Sequence, residues 1–435
     1  MSNDRVVIQL TITVDCDGKP AVVVSPPGAG TGTVCVVEPP GGGGSTGSTT
    51  VPGTGTTTPP AASATAAAQR TVHIVAGNGG LAWFTLLWPV PEVALSANPQ
   101  HALDDRSHFG AVPGTAVEHP LHVRRVGPRL LWEGTGRSPQ PTIFVAGANQ
   151  THTNAPQMTT IAGGPEIVAA GAKAQLPLAA PLPVLAIGQG LPYGPAPGAP
   201  AAVAVSTIDA AIAALGAVTT ITPATEQDLR PSAAQLAGMV DSGTPTKVAE
   251  LARNLMFAAN AFRLGLVSTV LMSAFNDDPH GAFAGGDAQP AARADAVARV
   301  LDGFYAELAK HPEPKASATG APMKLSDNVV TLITGDTPKN AFNRNGWPDG
   351  TPGNANLVFV RANGYLKPGW FGALTGNGRV NFDPATGAQS AAASAPAATI
   401  AAQLAILFAI TRGDAAAVAA ASAAPFAGAV ASPLP

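Results

Sequence analysis

Six short apolar runs, each ending in a polar or glycine-rich cluster, constrain this chain more than any other feature. They are TVHIVAGNGG, TIFVAGANQTH, PVLAIGQG, LVSTVLMSAFNDDPH, NVVTLITGDTPKN and NLVFVRANGY, starting at residues 71, 142, 183, 266, 328 and 356. Their apolar residues are continuous rather than alternating. Strands covered on both faces read this way, and such strands belong to mostly parallel sheets.

Helical patterns fall between the runs. Residues 205–218 form one. Another, residues 244–265, carries apolar residues at 248, 251, 255, 259 and 262, continued by Leu266 just beyond it, steps of three and four that keep one face apolar. Residues 291–311 repeat this with Val297, Leu301, Phe304 and Leu308, and Asp295 precedes Arg299 by four as a surface pair. An alanine-rich helix is expected over roughly 396–411. Strand alternating with helix predicts an α/β fold with a mostly parallel central sheet flanked by helices.

The first 70 residues differ. Residues 5–15 and 20–38 read as short strands around the turn DCDGKP. Residues 39–69 are a Gly/Ser/Thr/Pro-rich linker that offers almost nothing to a core. The expected organisation is a β-rich arm over 1–38, the linker, a main domain over 70–425 and a tail over 426–435. Cys16 and Cys35 are the two cysteines. They form no zinc-type spacing, and buried thiols and a disulfide both remain open.

Only 12% of the 435 residues are charged, about half the usual share. The net charge is −3, and the 24 Lys+Arg form no basic block, which argues against nucleic-acid partners. The most apolar C-terminal stretch, about 13 residues before Thr411, is shorter than the ~20 a membrane span needs. The N-terminus alternates instead of carrying a signal-peptide pattern, so a cytoplasmic location is the default expectation.

In open parallel sheets, sites form at the carboxyl ends of strands. Four polar clusters stand there: Gly77–Gly80, Asn149–His152, Asn276–His280 and Gly335–Thr337. Asp277, Asp278, His280, His152 and Asp336 offer the oxygen and nitrogen donors that a divalent metal (Zn, Mn or Ca) takes, and paired carboxylates need a cation to stay ionised. Thr151 beside His152 pairs a hydroxyl with a base. A further group, Asp104, Asp105, Arg106, Ser107 and His108, places a cation where an anionic substrate could be held. Asp, Asn, Gly and Pro also gather at strand ends simply as turn formers, and charged loops carry local ion pairs. The glycine turn at 77–80 lacks nucleotide-binding spacing, and no GxSxG elbow occurs.

The order of segments VHIVAGNGG, DDRSHFGAV, AFNDDPHGAF and VVTLITGDTPKN…WPDGTPGN resembles an uncharacterised bacterial family of the alkaline phosphatase/sulfatase-like superfamily, over about residues 70–425. RSHF is the clearest identity. The resemblance implies metal-dependent hydrolysis of phosphate or sulfate esters. Asp278, His280 and Asp349, with Asp336, would hold metal. Thr151 or Ser107 would be the nucleophile, and Arg106 would steady a small anionic substrate. The chain departs from the pattern: its first turn has no aspartate, Thr337–Pro338 alone survive from the usual glutamate-to-arginine strand end, and the Thr-Asp-His-Gly turn keeps Asp349 and Gly350 but loses its histidine. The twin-arginine signal of exported relatives is absent as well. The alternative is a degenerate scaffold or self-assembling protein that uses the N-terminal arm for partner contacts.

Overall fold

A computed structural model describes residues 9–14, 20–25, 69–76, 110–111, 118–119, 142–148, 150, 153, 155–161, 164–194, 196–274, 288–314, 323–335, 355–362, 364–367, 369–375, 378–422 and 428–430. The chain divides into two units, Met1–Thr56 and Thr57–Pro435. In the first, β1 (Gln9–Val14) and β2 (Pro20–Ser25) form an antiparallel hairpin with Leu10 opposite Val24 and Ile12 opposite Val22. Cys16 and Cys35 lie outside the described residues.

The second unit is built on an eight-stranded sheet. Its strands are β3 (Arg70–Ala76), β6 (Thr142–Ala146), β7 (Val184–Ile187), β8 (Ala202–Val205), β9 (Thr269–Ser273), β10 (Val329–Gly335), β11 (Asn356–Arg361) and β12 (Gly369–Phe371). Their order is β12-β6-β11-β10-β3-β9-β7-β8, and only β11 runs against the others. A two-residue ladder, β4 (Gly110–Ala111) with β5 (Glu118–His119), and a three-stranded antiparallel sheet of β13 (Ala373–Thr375), β14 (Gly378–Phe382) and β15 (Gln389–Ser390) complete the strands.

Helices cover both faces, as the continuous apolar runs demand. The pleat sends alternate residues to opposite faces. Val72 and Ile74 of β3, with Val329 and Ile333 of β10, enter a core shared with α2 (Ile208–Val218), α5 (Thr246–Arg263) and α6 (Ala288–Leu308). Val330 and Leu332 face the other way, into a core with α1 (Ile167–Ala174) and α7 (Ala395–Ile410). The short helices α3 (Pro223–Leu229), α4 (Ala233–Leu236) and α8 (Ala415–Ala421) pack at the periphery.

The helical face read at 248–262 is real: Val248, Leu251, Leu255, Ala259 and Phe262 are all buried. Arg299 contacts Asp295 one turn away and also Asp241. By contrast α7 is buried on every side from Ala401 to Ile410, because sheet, α1 and α8 surround it. Among the described residues no helix is long and apolar enough to cross a membrane. Val430 is buried in the second core, and its carbonyl accepts from Lys367 N at 2.9 Å, so part of the expected tail packs with the main unit. Gln69, at the expected end of the linker, is likewise buried and tied to Ile410 and Ala409.

Candidate functional site

All strands of the large sheet except β11 point the same way, so β3, β6, β9 and β10 end on one rim, at Ala76, Ala146, Ser273 and Gly335. The antiparallel β11 begins on that rim, with Asn356 opposite Ala146. The tips of β3 and β10 are neighbours, Ala76 opposite Gly335, and β9 flanks β3 with Ser273 opposite Val75. Neighbouring strands lie ~4.8 Å apart, so the β6 and β9 tips, four spacings apart in the order, stand about 19 Å from each other.

Arg106, Ser107, Thr151, His152, Asp278, His280, Asp336 and Asp349 all lie outside the described residues, as do Asp104, Asp105, His108 and Asp277. Among the described residues no group of three or more His, Cys, Asp or Glu is placed to hold a metal. The rim itself carries polar residues that sequence reasoning passed over.

His73 sits in the middle of β3 and is fully buried, with Nε2 2.8 Å from Thr334 Oγ1 one residue short of the β10 tip. Burial holds its pKa down at about 3, so the ring is neutral, and Nδ1 has no partner among the described residues. A lone imidazole inside an apolar run was the only sequence signal for it.

At the β6 tip the chain turns through Gly147 with φ +84°, a conformation that disfavours any side chain. A Cβ there would also lie 2.3 Å from Asn356 Oδ1. Thr399 of α7 accepts from Gly147 N at 3.0 Å, and Arg379 of β14 donates from Nη1 to the Gly147 carbonyl. Gln150 Oε1 accepts from Gln157 N at 2.6 Å, which ties the following loop back onto itself. No family model, no curated protein and no solved structure matches the chain.

At the β7–β8 edge of the sheet, a cavity of about 500 Å³ opens between Ala186, Gly188, Leu191, Tyr193, Pro200 and Ala202. Tyr193 donates to the Pro200 carbonyl at 2.5 Å. Behind Tyr193 lies Glu166, the residue that caps α1. It is 4% exposed, and its Oε2 accepts from Ala169 N at 2.8 Å while Oε1 has no partner among the described residues. Burial pushes its carboxyl up to about 8 against the opposing pull of the Ala169 and Val168 amides. Burial, and secondarily the Glu166 charge, raises the Tyr193 phenol to about 12. At neutral pH both groups therefore hold their protons.

Proposed function

We propose that this chain is an alkaline phosphatase-like α/β protein that hydrolyses small phosphate or sulfate esters with the help of a divalent metal. One observation carries the reading: the chain segments bearing the candidate ligands attach to the rim ends of a contiguous set of strands. Asp336 directly follows Gly335 of β10, and Asp349 precedes the rim end of β11 by seven residues. Asp278 and His280 follow Ser273 of β9 by five and seven residues.

From β9 to β11 is three spacings, about 15 Å, and five residues of extended chain span up to ~17 Å. These donors can therefore meet near the β10 tip. Three carboxylates and an imidazole suit Zn or Mn, and Ca if carbonyls join them.

When bound, such a metal supplies Lewis-acid stabilisation of ester oxygens. The chain's own residues would do the rest. Thr151 or Ser107 presents the hydroxyl, His152 takes its proton, and Arg106 holds the anion in place.

The test is metal analysis of purified protein. Stoichiometric Zn, Mn or Ca is expected, lost in Asp278→Ala and in His280→Ala with an unchanged circular dichroism spectrum. Metal-free protein that turns over neither p-nitrophenyl phosphate nor the sulfate would sink the reading.

A second reading draws on the β1–β2 hairpin. A two-stranded hairpin is marginal in water by itself, and strand edges invite pairing with another chain. On this reading the main unit is a scaffold and the arm mediates self-association. Deleting residues 1–40 should then shift the size-exclusion position toward a smaller assembly. An unchanged oligomeric state removes this alternative.

A further inference from the structure

Among the described residues, Arg379 is a cation without a matching anion. Its guanidinium is about half buried against the β6 tip, and burial draws its pKa below the ordinary arginine value. Arginine carries five N–H donors, and the Gly147 carbonyl takes one of them. Several other arginines of the fold meet carboxylates: Arg70 meets Glu313, Arg230 meets Asp209 and Glu226, and Arg299 meets Asp295 and Asp241. Arg412 instead meets neutral partners, Tyr365 and Asn328. Among the described residues no carboxylate pairs with Arg379. Partial burial of a charge without a counter-ion is costly unless something of opposite sign occupies the site.

A second donor stands at the same turn. Asn356 is fully buried, and its Oδ1, which accepts from Met158 N at 3.3 Å, stands 2.3 Å from where a Cβ on Gly147 would lie. That bond fixes the amide orientation and leaves Nδ2 as a buried donor with no partner among the described residues. The φ of +84° at Gly147 and the close approach of Asn356 and Met158 both exclude a side chain at this turn.

We infer that the Gly147 turn is a subsite for a tetrahedral oxyanion, a phosphate or sulfate group, with Arg379 supplying the charge-assisted fork of donors and Asn356 the amide donor. A planar guanidinium matches such oxygens two at a time. The inference rests on the proposed function only in that the subsite shares its rim, so that the anion would be the ester group of that substrate.

The experiment is isothermal titration of inorganic phosphate and of sulfate into the full chain stripped of metal with EDTA, comparing wild type, Arg379→Lys and Arg379→Met. Binding is expected in wild type, weakened about tenfold or more in Arg379→Met and less in Arg379→Lys, which keeps the charge but loses the fork. Phenyl phosphate binding as tightly as phosphate would support an ester as the source, and a preference for phosphate a free anion. Three results would overturn the subsite: no binding in wild type, equal binding in all three proteins, or acetate bound more tightly than phosphate. If Arg379→Met does not fold, Arg379→Gln replaces it, and equal affinities for the Lys and Gln variants count against the subsite.

The metal content and ester turnover of the wild-type protein as purified, before EDTA, keep the two ideas apart. Arg379-dependent anion binding in a protein that purifies without metal and turns over neither ester leaves the subsite standing and removes the hydrolase. Bound metal with Arg379-independent anion binding does the reverse.

Discussion

Replacing Glu313 by Ala should cost about 3–5 kcal/mol of folding stability, the expected penalty for stranding a buried charge. Arg70 is the first residue of β3, at the end of the sheet opposite the candidate site, and Glu313 follows α6. Their side chains are 1% and 0% exposed. Glu313 accepts from Arg70 Nη2 at 2.6 Å, from Nε at 3.0 Å and from Asn328 Nδ2 at 3.1 Å. Arg70 Nη1 donates to the Val267 carbonyl, and the guanidinium lies 5.7 Å from the Phe262 ring centre.

The truncation removes the only carboxylate that Arg70 meets among the described residues and leaves the guanidinium in a dry environment. Replacing both partners with apolar residues of similar volume, Arg70→Met with Glu313→Leu, should restore most of the loss, because the desolvation cost disappears with the charges. Denaturant unfolding of the two single variants and the double variant checks this. A double variant no more stable than Glu313→Ala would mean that the pair acts through packing rather than charge.

The second large effect concerns Glu166 and depends on pH. Its carboxyl titrates near 8 in the folded chain against 4.5 for the free group. The folded state therefore favours the protonated form. The stability this contributes is fully present below about pH 4.5 and is lost as pH rises through 8. Each pH unit in that window lowers stability by about 1.4 kcal/mol, so the total is on the order of 5 kcal/mol.

Glu166→Gln keeps an acceptor for Ala169 N and never ionises. Relative to wild type it should be within about 1 kcal/mol at pH 5 and more stable by several kcal/mol at pH 9. Unfolding curves at the two pH values decide it. Parallel behaviour of the two proteins would show that Glu166 does not carry the proton. Tyr193, the titratable group facing it, ionises too far above this window to confuse the result.

The two effects have different visibility in the sequence. A lone arginine at the start of an apolar strand says that something must neutralise it. Its partner, 243 residues away, could not be named from the chain. Glu166 precedes an alanine-rich octet that reads as a helix only once its burial is known.

The sequence by itself determined the layers. Continuous apolar runs can be satisfied only when both faces of a strand are covered, and 3.6-residue periodicity placed α5 and α6 against one of those faces. The shorter strands escaped, among them β8, β12 and β13–β15, because two to five residues at a sheet edge carry too little burial to leave a pattern. Strand order, the reversal of β11 and the meeting of Arg379 with Gly147 were decided only by the tertiary structure. Pairing along a sheet depends on which surfaces exclude water together, and residues 232 positions apart leave no trace of that in local spacing.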